Sequence, residues 1–442
     1  MDKNQMNLGI FVLGTGHHMG AWRHPDVNAD GAEDFDFFRD VAQIAERGKL
    51  DMLFLSDGLT FNRLSHPAEQ VRFEPLTLLS ALAAVTSKIG LAATASTTYN
   101  EPFHIARKFS SIDHLSKGRS GWNVVTSYYE EEAKNFNQTT HLDHSLRYER
   151  AKEFVEVVKG LWDSWEEDAL VRDKEAGVYF DPNRLHTLNH TGQYYSVKGP
   201  LNSSRSKQGH PVIIQAGSSE AGINLAAQTA EVIFTAQQTL EEAQTFYKKV
   251  KEKAAEFGRN PDEIKILPGV SPIIGKTEQE AKEKYEQLQD LIVPEIGLDF
   301  LSDYLGGLDL SRYSLDEPLP DFIPKTNGNQ SRRQLIIDLA KRENLTIRQL
   351  YKRVAGSRGH RIIYGTPEQI ADQLDDWVKN KGADGYNLMF PYLPGSFTEF
   401  VDFVIPILQK RGLFREEYEA DTLRGHLGLS KPESRYTQKV RA

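Results

Sequence analysis

Residues Pro211-Val-Ile-Ile-Gln-Ala-Gly-Ser-Ser-Glu-Ala-Gly222 read as a short apolar strand, a turn of small residues and the start of a helix. Such a turn gathers free backbone N–H groups and the hydroxyls of Ser218 and Ser219 around one point. A helix N-terminus carries unpaired donors and roughly half a positive charge, so an anion, most often a phosphate, suits it. Ser219 also fits the simpler role of capping its own helix. Other patterns carry less. Gly14-Thr-Gly16-His-His-Met-Gly20 follows a strand but misses the dinucleotide spacing by one residue, and Ala-Trp-Arg-His-Pro-Asp after it has no helical pattern. His141-x-x-His144 with Asp143 lacks a third and fourth ligand nearby, so no metal is expected. No Gly-x-Ser-x-Gly elbow is present.

Strand-like and helix-like segments alternate along the chain and would carry these groups. Strands are predicted over residues 8–13, 51–57, 89–98, 120–127, 212–216, 232–234, 264–274 and 385–390, with a helical pattern after each. The helix over 144–162 has an apolar face at Tyr148, Ala151, Phe154, Val155, Val158, Leu161 and Trp162. Thr239-x-x-Glu242, Thr277-x-x-Glu280, Thr366-Pro-Glu-Gln369 and Ser396-x-x-Glu399 mark helix starts, and Pro406 is expected to kink the last helix. Eight βα units in series predict an α/β fold of the (β/α)8 TIM-barrel class, an open doubly wound sheet being the competing arrangement. The expectation is one barrel domain over residues 1–442. Insertions at strand ends are placed at about 165–210 and 292–364. The polar tail 413–442 is expected to lie across a neighbouring subunit.

Composition bounds the partners. The 442 residues are 39% hydrophobic and 26% charged, with a formal net charge of −9. The pI is near 5.9 and there is no long basic run, so nucleic acid is not expected. Cysteine is absent, which removes thiolate nucleophiles and disulfides. The first residues lack the blocks of a signal peptide and no apolar run approaches the ~20 residues of a membrane span, so a cytoplasmic location is expected.

Several segments together resemble the bacterial luciferase-like flavin monooxygenases. They are Trp22-Arg-His-Pro-Asp26, Leu53-Phe-Leu-Ser-Asp57, Phe73-Glu-Pro-Leu-Thr77, Thr94-Ala-Ser-Thr-Thr98 and the run Asp113–Ser127. His144-x-x-x-Tyr148, Gln215–Gly222 and Gly365-Thr-Pro-Glu-Gln369 extend the likeness over nearly the whole chain. The most similar subgroup holds nitrilotriacetate, dibenzothiophene-sulfone and long-chain alkane monooxygenases, with organosulfur-salvage members nearest on Leu201-Asn-Ser-Ser-Arg-Ser-Lys-Gln-Gly209. The resemblance implies a barrel that takes FMN already reduced by a separate NAD(P)H:flavin reductase. With O2 as co-substrate, one oxygen atom then passes to an organic substrate.

Carried over residue by residue, the resemblance places Asp57, Thr94 and Asn123 at the flavin ring, and His144 and Tyr148 at the ribityl chain or phosphate. The last two are four apart and share a helix face. Gly217, Ser218 and Ser219 would hold the phosphate. His17 and His18, after the first strand, are the catalytic candidates: activated oxygen must be held or protonated without losing peroxide, and a histidine titrating near neutrality suits that. Arg23 and Arg205 are candidate partners for a substrate carboxylate. The expected substrate is a small carboxylate-bearing organosulfur compound of S-substituted cysteine type. Alternatives are an aminopolycarboxylate, an alkane, or a flavin-binding barrel without catalysis. A converging set of basic groups would favour an acid, an apolar wall an alkane. A homodimer or homotetramer is expected.

Overall fold

The computed structural model describes residues 5–63, 65–323 and 330–437. Its strands are β1 (Asn7–Val12), β2 (Met52–Leu55), β3 (Gly90–Ser96), β4 (Ser120–Val125) and β5 (Val212–Ala216), followed by β6 (Val232–Thr235), β7 (Lys265–Ile274), β8 (Arg361–Gly365) and β9 (Gly385–Leu388). All ladders among them are parallel, and the strands are almost wholly buried, as expected when both faces of a parallel sheet are covered. The cycle runs β1-β2-β3-β4-β5-β6-β7-β9 and returns to β1 through Asn7↔Gly385. It is a closed eight-stranded barrel.

The eight predicted strands are the eight barrel strands. The ninth, β8, was hidden at the end of the 292–364 insertion. It pairs with the upper half of β7, from Arg361↔Val270 to Gly365↔Ile274, while the lower half of β7 pairs with β6. Thr239, Thr277 and Thr366 each cap a helix as their spacing predicts. The irregularity expected at Pro406 takes the form of a π-helical turn over Phe400–Val404.

Side chains alternate between two cores, as a period of two demands. Leu8, Ile10, Val12, Leu53, Leu55 and Leu91 face the surrounding helices. Phe11, Met52, Phe54, Ala92, Ile214 and Phe234 face the barrel axis.

One expectation about the connections is corrected. The 165–210 stretch follows the helix His144–Trp162 and precedes β5, so it sits where strands begin rather than where they end. The described part of the tail, residues 413–437, packs on its own chain. It folds back and stoppers the end of its own barrel: Leu423, Leu427 and Leu429 join the axial core. Gly90 and Gly121 leave the room, since a Cβ on Gly90 would lie 2.4 Å from Leu423 Cδ1 and one on Gly121 3.2 Å from Leu423 Cδ2. Buried charges seal the stopper. Arg415 Nη2 donates to Asp51 Oδ1 and to the carbonyl of His426, each at 2.6 Å, and Arg424 pairs with Glu231.

Candidate active site

A cavity of about 270 Å³ opens at the C-terminal ends of the strands, the end where barrels of this class build their sites. Asp57 follows β2, Thr94 and Ser96 come from β3, Asn123 and Val125 from β4, and Gln215 from β5. The 292–364 insertion closes it with Arg332, Leu335 and Arg358.

One end of the cavity is built to take an anion. Ser219 is the N-cap of the helix Glu220–Thr229, accepting from Gly222 N at 3.1 Å. That bond uses an oxygen lone pair and leaves the hydroxyl proton free, so capping and anion binding are compatible. Gly217 has φ +128°, and a Cβ there would meet nothing within 4 Å. The Tyr148 hydroxyl stands beside this first turn, 3.4 Å from where a Gly222 Cβ would lie. His144 and Tyr148 sit with ring centroids 4.8 Å apart. Burial and the neighbouring Arg147 lower the His144 pKa, so its imidazole is neutral at pH 7.

The strands beneath this turn carry acceptors with nothing to accept. Asn123 donates Nδ2 to Thr94 Oγ1 at 2.8 Å, while its Oδ1 is buried without a partner. Gln215 Oε1 is likewise orphaned on the same wall. Each such group costs about 1–3 kcal/mol until a donor arrives. Two amide oxygens on neighbouring strands that lead up to an anion turn fit a ring bearing N–H groups tethered to a phosphate. Thus Asp57, Thr94, Asn123, His144, Tyr148, Gly217, Ser218 and Ser219 all border one space.

His17 and His18 do not border it. The His17 ring packs edge-on against Phe11, a wall residue, with centroids 4.5 Å apart. Its Nε2 donates to the Phe11 carbonyl at 2.9 Å, which leaves the Nδ1 lone pair buried and unpartnered. Burial, reinforced by Arg358, holds His17 well below the usual imidazole range, and burial brings His18 to about 3. The expected titration near neutrality is therefore wrong for both. The two arginine expectations also fail. Arg23 is exposed and donates to the Leu291 carbonyl at 2.6 Å. Arg205 is locked in a buried ion pair with Asp163, bonded also to the Pro432 carbonyl. Neither lines the cavity. His141 is held by Tyr99 and Arg147, and no group of three or more His, Asp or Glu able to hold a metal ion occurs among the described residues.

Residues 6–385 match the family model described as luciferase-like monooxygenase. The chain belongs to that family. It is a flavin-dependent monooxygenase. It is 61% identical to N-acetyl-S-(2-succino)cysteine monooxygenase of Bacillus subtilis over 437 residues, covering 99% of each chain. Nitrilotriacetate monooxygenase component A of Aminobacter aminovorans is 52% identical, with 97% of this chain and 98% of that protein covered. Among solved structures, riboflavin lyase with modified FMN and riboflavin superposes with a TM-score of 0.87 at 34% identity, over 98% of this chain and 97% of that one. Among the described residues no helix is long and apolar enough to cross a membrane.

The cavity wall also carries residues that the sequence had not singled out. Gln215 was within reach, as the one polar residue inside Val-Ile-Ile-Gln-Ala. Arg147 lies one helical turn from His144 and also had a positional signal. Glu69, Arg332 and Arg358 had none, because only the fold brings them to the barrel mouth. Asp57, now placed, yields a testable pH dependence. Burial, opposed by Arg72, raises its pKa from 3.8 to about 6. A folded value above the unfolded one means protonation favours folding, so the carboxylate costs nothing below about pH 4 and its full cost above about pH 6. Asp57→Asn should raise the melting temperature of the flavin-free protein at pH 8 and lose that gain at pH 4. An equal offset at both pH values would contradict the assignment.

Proposed function

We propose that the protein binds FMN delivered reduced by a separate NAD(P)H-dependent reductase, and with O2 oxygenates a carboxylate-bearing thioether of S-substituted cysteine type. The observation that carries the substrate class is the set of guanidinium groups on the wall: Arg72, Arg332 and Arg358 border the cavity together with Arg147. An alkane would be met by apolar groups, whereas an acid needs converging cations. The printed activity of the 61% identical relative, on a succinylated cysteine, supports the same chemistry. An aminopolycarboxylate is the second reading. It would meet the same arginines, and the 52% identical relative is named for one.

In this reading Ser218, Ser219 and the Glu220–Thr229 helix N-terminus hold the phosphate, with Tyr148 beside it. Asn123 and Gln215 accept from the ring edge, and Asp57 lies next to it. Bound reduced flavin supplies the activation of O2, one atom going to the substrate and the other leaving as water. Phe11, Phe54 and Phe234 give the site an apolar floor that keeps water from the reacting centre. His17 lies behind that floor as a neutral imidazole and keeps its Nε2 proton on the Phe11 carbonyl. The protein assembles as a homo-oligomer of two or four chains.

The test couples the enzyme to a generic FMN reductase under 18O2 and offers S-carboxyalkyl cysteines, aminopolycarboxylates and alkanes. The thioethers should show oxygen uptake above flavin autoxidation, with one labelled atom in the product. Uptake driven by an aminopolycarboxylate instead would move the reading to the second class. No substrate-dependent uptake at all would favour a flavin-binding barrel without catalysis.

A further inference from the structure

Four arginines border the cavity among the described residues, and three of them are engaged by the protein itself. Arg358 pairs with Glu69 through Nη2 and Oε1 at 2.5 Å. Arg332 donates to the Arg358 carbonyl at 2.8 Å and to His360 Nε2 at 3.0 Å. Arg147 is buried and bonded to His141. Arg72 differs from all three. It is half-buried in the connection between the helices Pro67–Gln70 and Pro75–Val85. Among the described residues it makes no hydrogen bond and no ion pair.

The acids around Arg72 are occupied elsewhere. Asp57, Glu69 and Glu132 feel its charge through space only. Asp57 Oδ1 accepts from Gly58 N at 2.9 Å, and Glu132 Oε1 accepts from Leu59 N at 3.0 Å. Glu74, two residues along, caps its own helix by accepting from Leu76 N and Thr77 N. Glu69 belongs to Arg358. Burial also disfavours charge on Asp57 and Glu132, raising the pKa of both.

Gly58 provides the seat for this guanidinium. A Cβ there would lie 2.8 Å from Arg72 Nη2. The φ of Gly58 is not positive, so what the glycine provides is space rather than a left-handed turn. The guanidinium therefore rests against the loop after β2, beside Asp57, on the cavity wall. Arginine is a planar fork of five N–H donors, and here the protein uses none of them. A planar carboxylate from a ligand matches that fork with two parallel hydrogen bonds.

We infer that Arg72, seated against Gly58, is the anchor for a substrate carboxylate and sets the preference for acids over neutral thioethers. The inference rests on the thioether reading above for its substrate, but the anchor is testable without turnover. Succinate serves as the probe. It should raise the melting temperature of the flavin-free wild-type protein and perturb the absorption of the oxidised FMN complex. Arg72→Met should abolish both responses, and Arg72→Lys should retain them in part. Gly58→Ala should weaken them with the charge still present, because it crowds the far end of a flexible side chain and leaves the fold intact. With a dicarboxylate thioether, Arg72→Met should raise KM about 10- to 100-fold, the scale of one lost charge-assisted contact, while kcat stays within about threefold and FMN affinity is unchanged. Wild type should prefer the acid to its methyl ester, and the variant should not.

Equal loss of acid and ester turnover, succinate binding that survives in Arg72→Met, or a parallel loss of FMN affinity would each overturn the anchor. A succinate response in Gly58→Ala equal to that of wild type would overturn the seat. Arg72-dependent succinate binding in a wild-type enzyme that oxidises no thioether would uphold the anchor and remove the thioether reading. Thioether oxidation indifferent to Arg72→Met would do the reverse.

Discussion

Alanine at both Ser218 and Ser219 should weaken flavin mononucleotide binding by roughly two to four orders of magnitude. Each hydroxyl gives a hydrogen bond to a charged group, about 1.5–3 kcal/mol apiece, and each 1.4 kcal/mol is a factor of ten. The hydroxyls are available for it. Ser219 accepts from Gly222 N but keeps its proton, and Ser218 sits half-buried on the cavity wall. Stability should suffer far less, since the lost cap is worth about 1 kcal/mol. Quenching of flavin fluorescence on titration measures the affinity, and a melt of the flavin-free protein measures the rest. Undiminished affinity in the double variant would place the phosphate elsewhere. Asn123→Ala should cost less affinity because it removes one neutral acceptor.

The second large effect lies at the far end of the barrel. Leu423→Ala should destabilise the protein by about 2–5 kcal/mol, the range for emptying a leucine site in a core that cannot collapse. Leu423 has no exposed surface and fills space left by Gly90 and Gly121, whose β-strands cannot close inward without breaking their ladders. Arg415→Met should be at least as damaging, because it leaves the wholly buried Asp51 without its cation. The midpoint of urea unfolding reports the loss. Flavin affinity should hold in Leu423→Ala, since Leu423 packs where strands start and the cavity lies where they end. A variant with wild-type stability would show that the tail only rests on the barrel.

The chain discloses some of this in its letters and conceals the rest for a physical reason. Strands such as Val212–Ala216 are short apolar runs bounded by turn residues, and caps such as Thr366 with Gln369 act within four residues, so local spacing reveals both. The anion turn is legible for the same reason: Gly217, Ser218 and Ser219 are adjacent, and the helix they open follows at once. Arg358 and Glu69 are 289 residues apart, and nothing near either one announces the pair. His17 and His18 mislead in the other direction. Their residue type suggests titration near neutrality, but burial, for His17 against Phe11, keeps them neutral, and burial is set by the whole fold. The tail reads as too polar to fold alone. Its three leucines find their core only at the barrel end, where Arg415 and Arg424 meet carboxylates from distant strands.

The long strand β7 has an evolutionary consequence. Its lower half belongs to the barrel and its upper half to β8, so the polypeptide carrying Arg332 and Arg358 joins the cylinder through a ladder of five residue pairs as well as side-chain contacts such as Arg358–Glu69. Drift or recombination within that segment can reshape what is recognised without disturbing the register of the staves below. One catalytic drum can thereby be fitted with interchangeable visors, and a single lineage of enzymes can diversify its diet while its chemistry stays put.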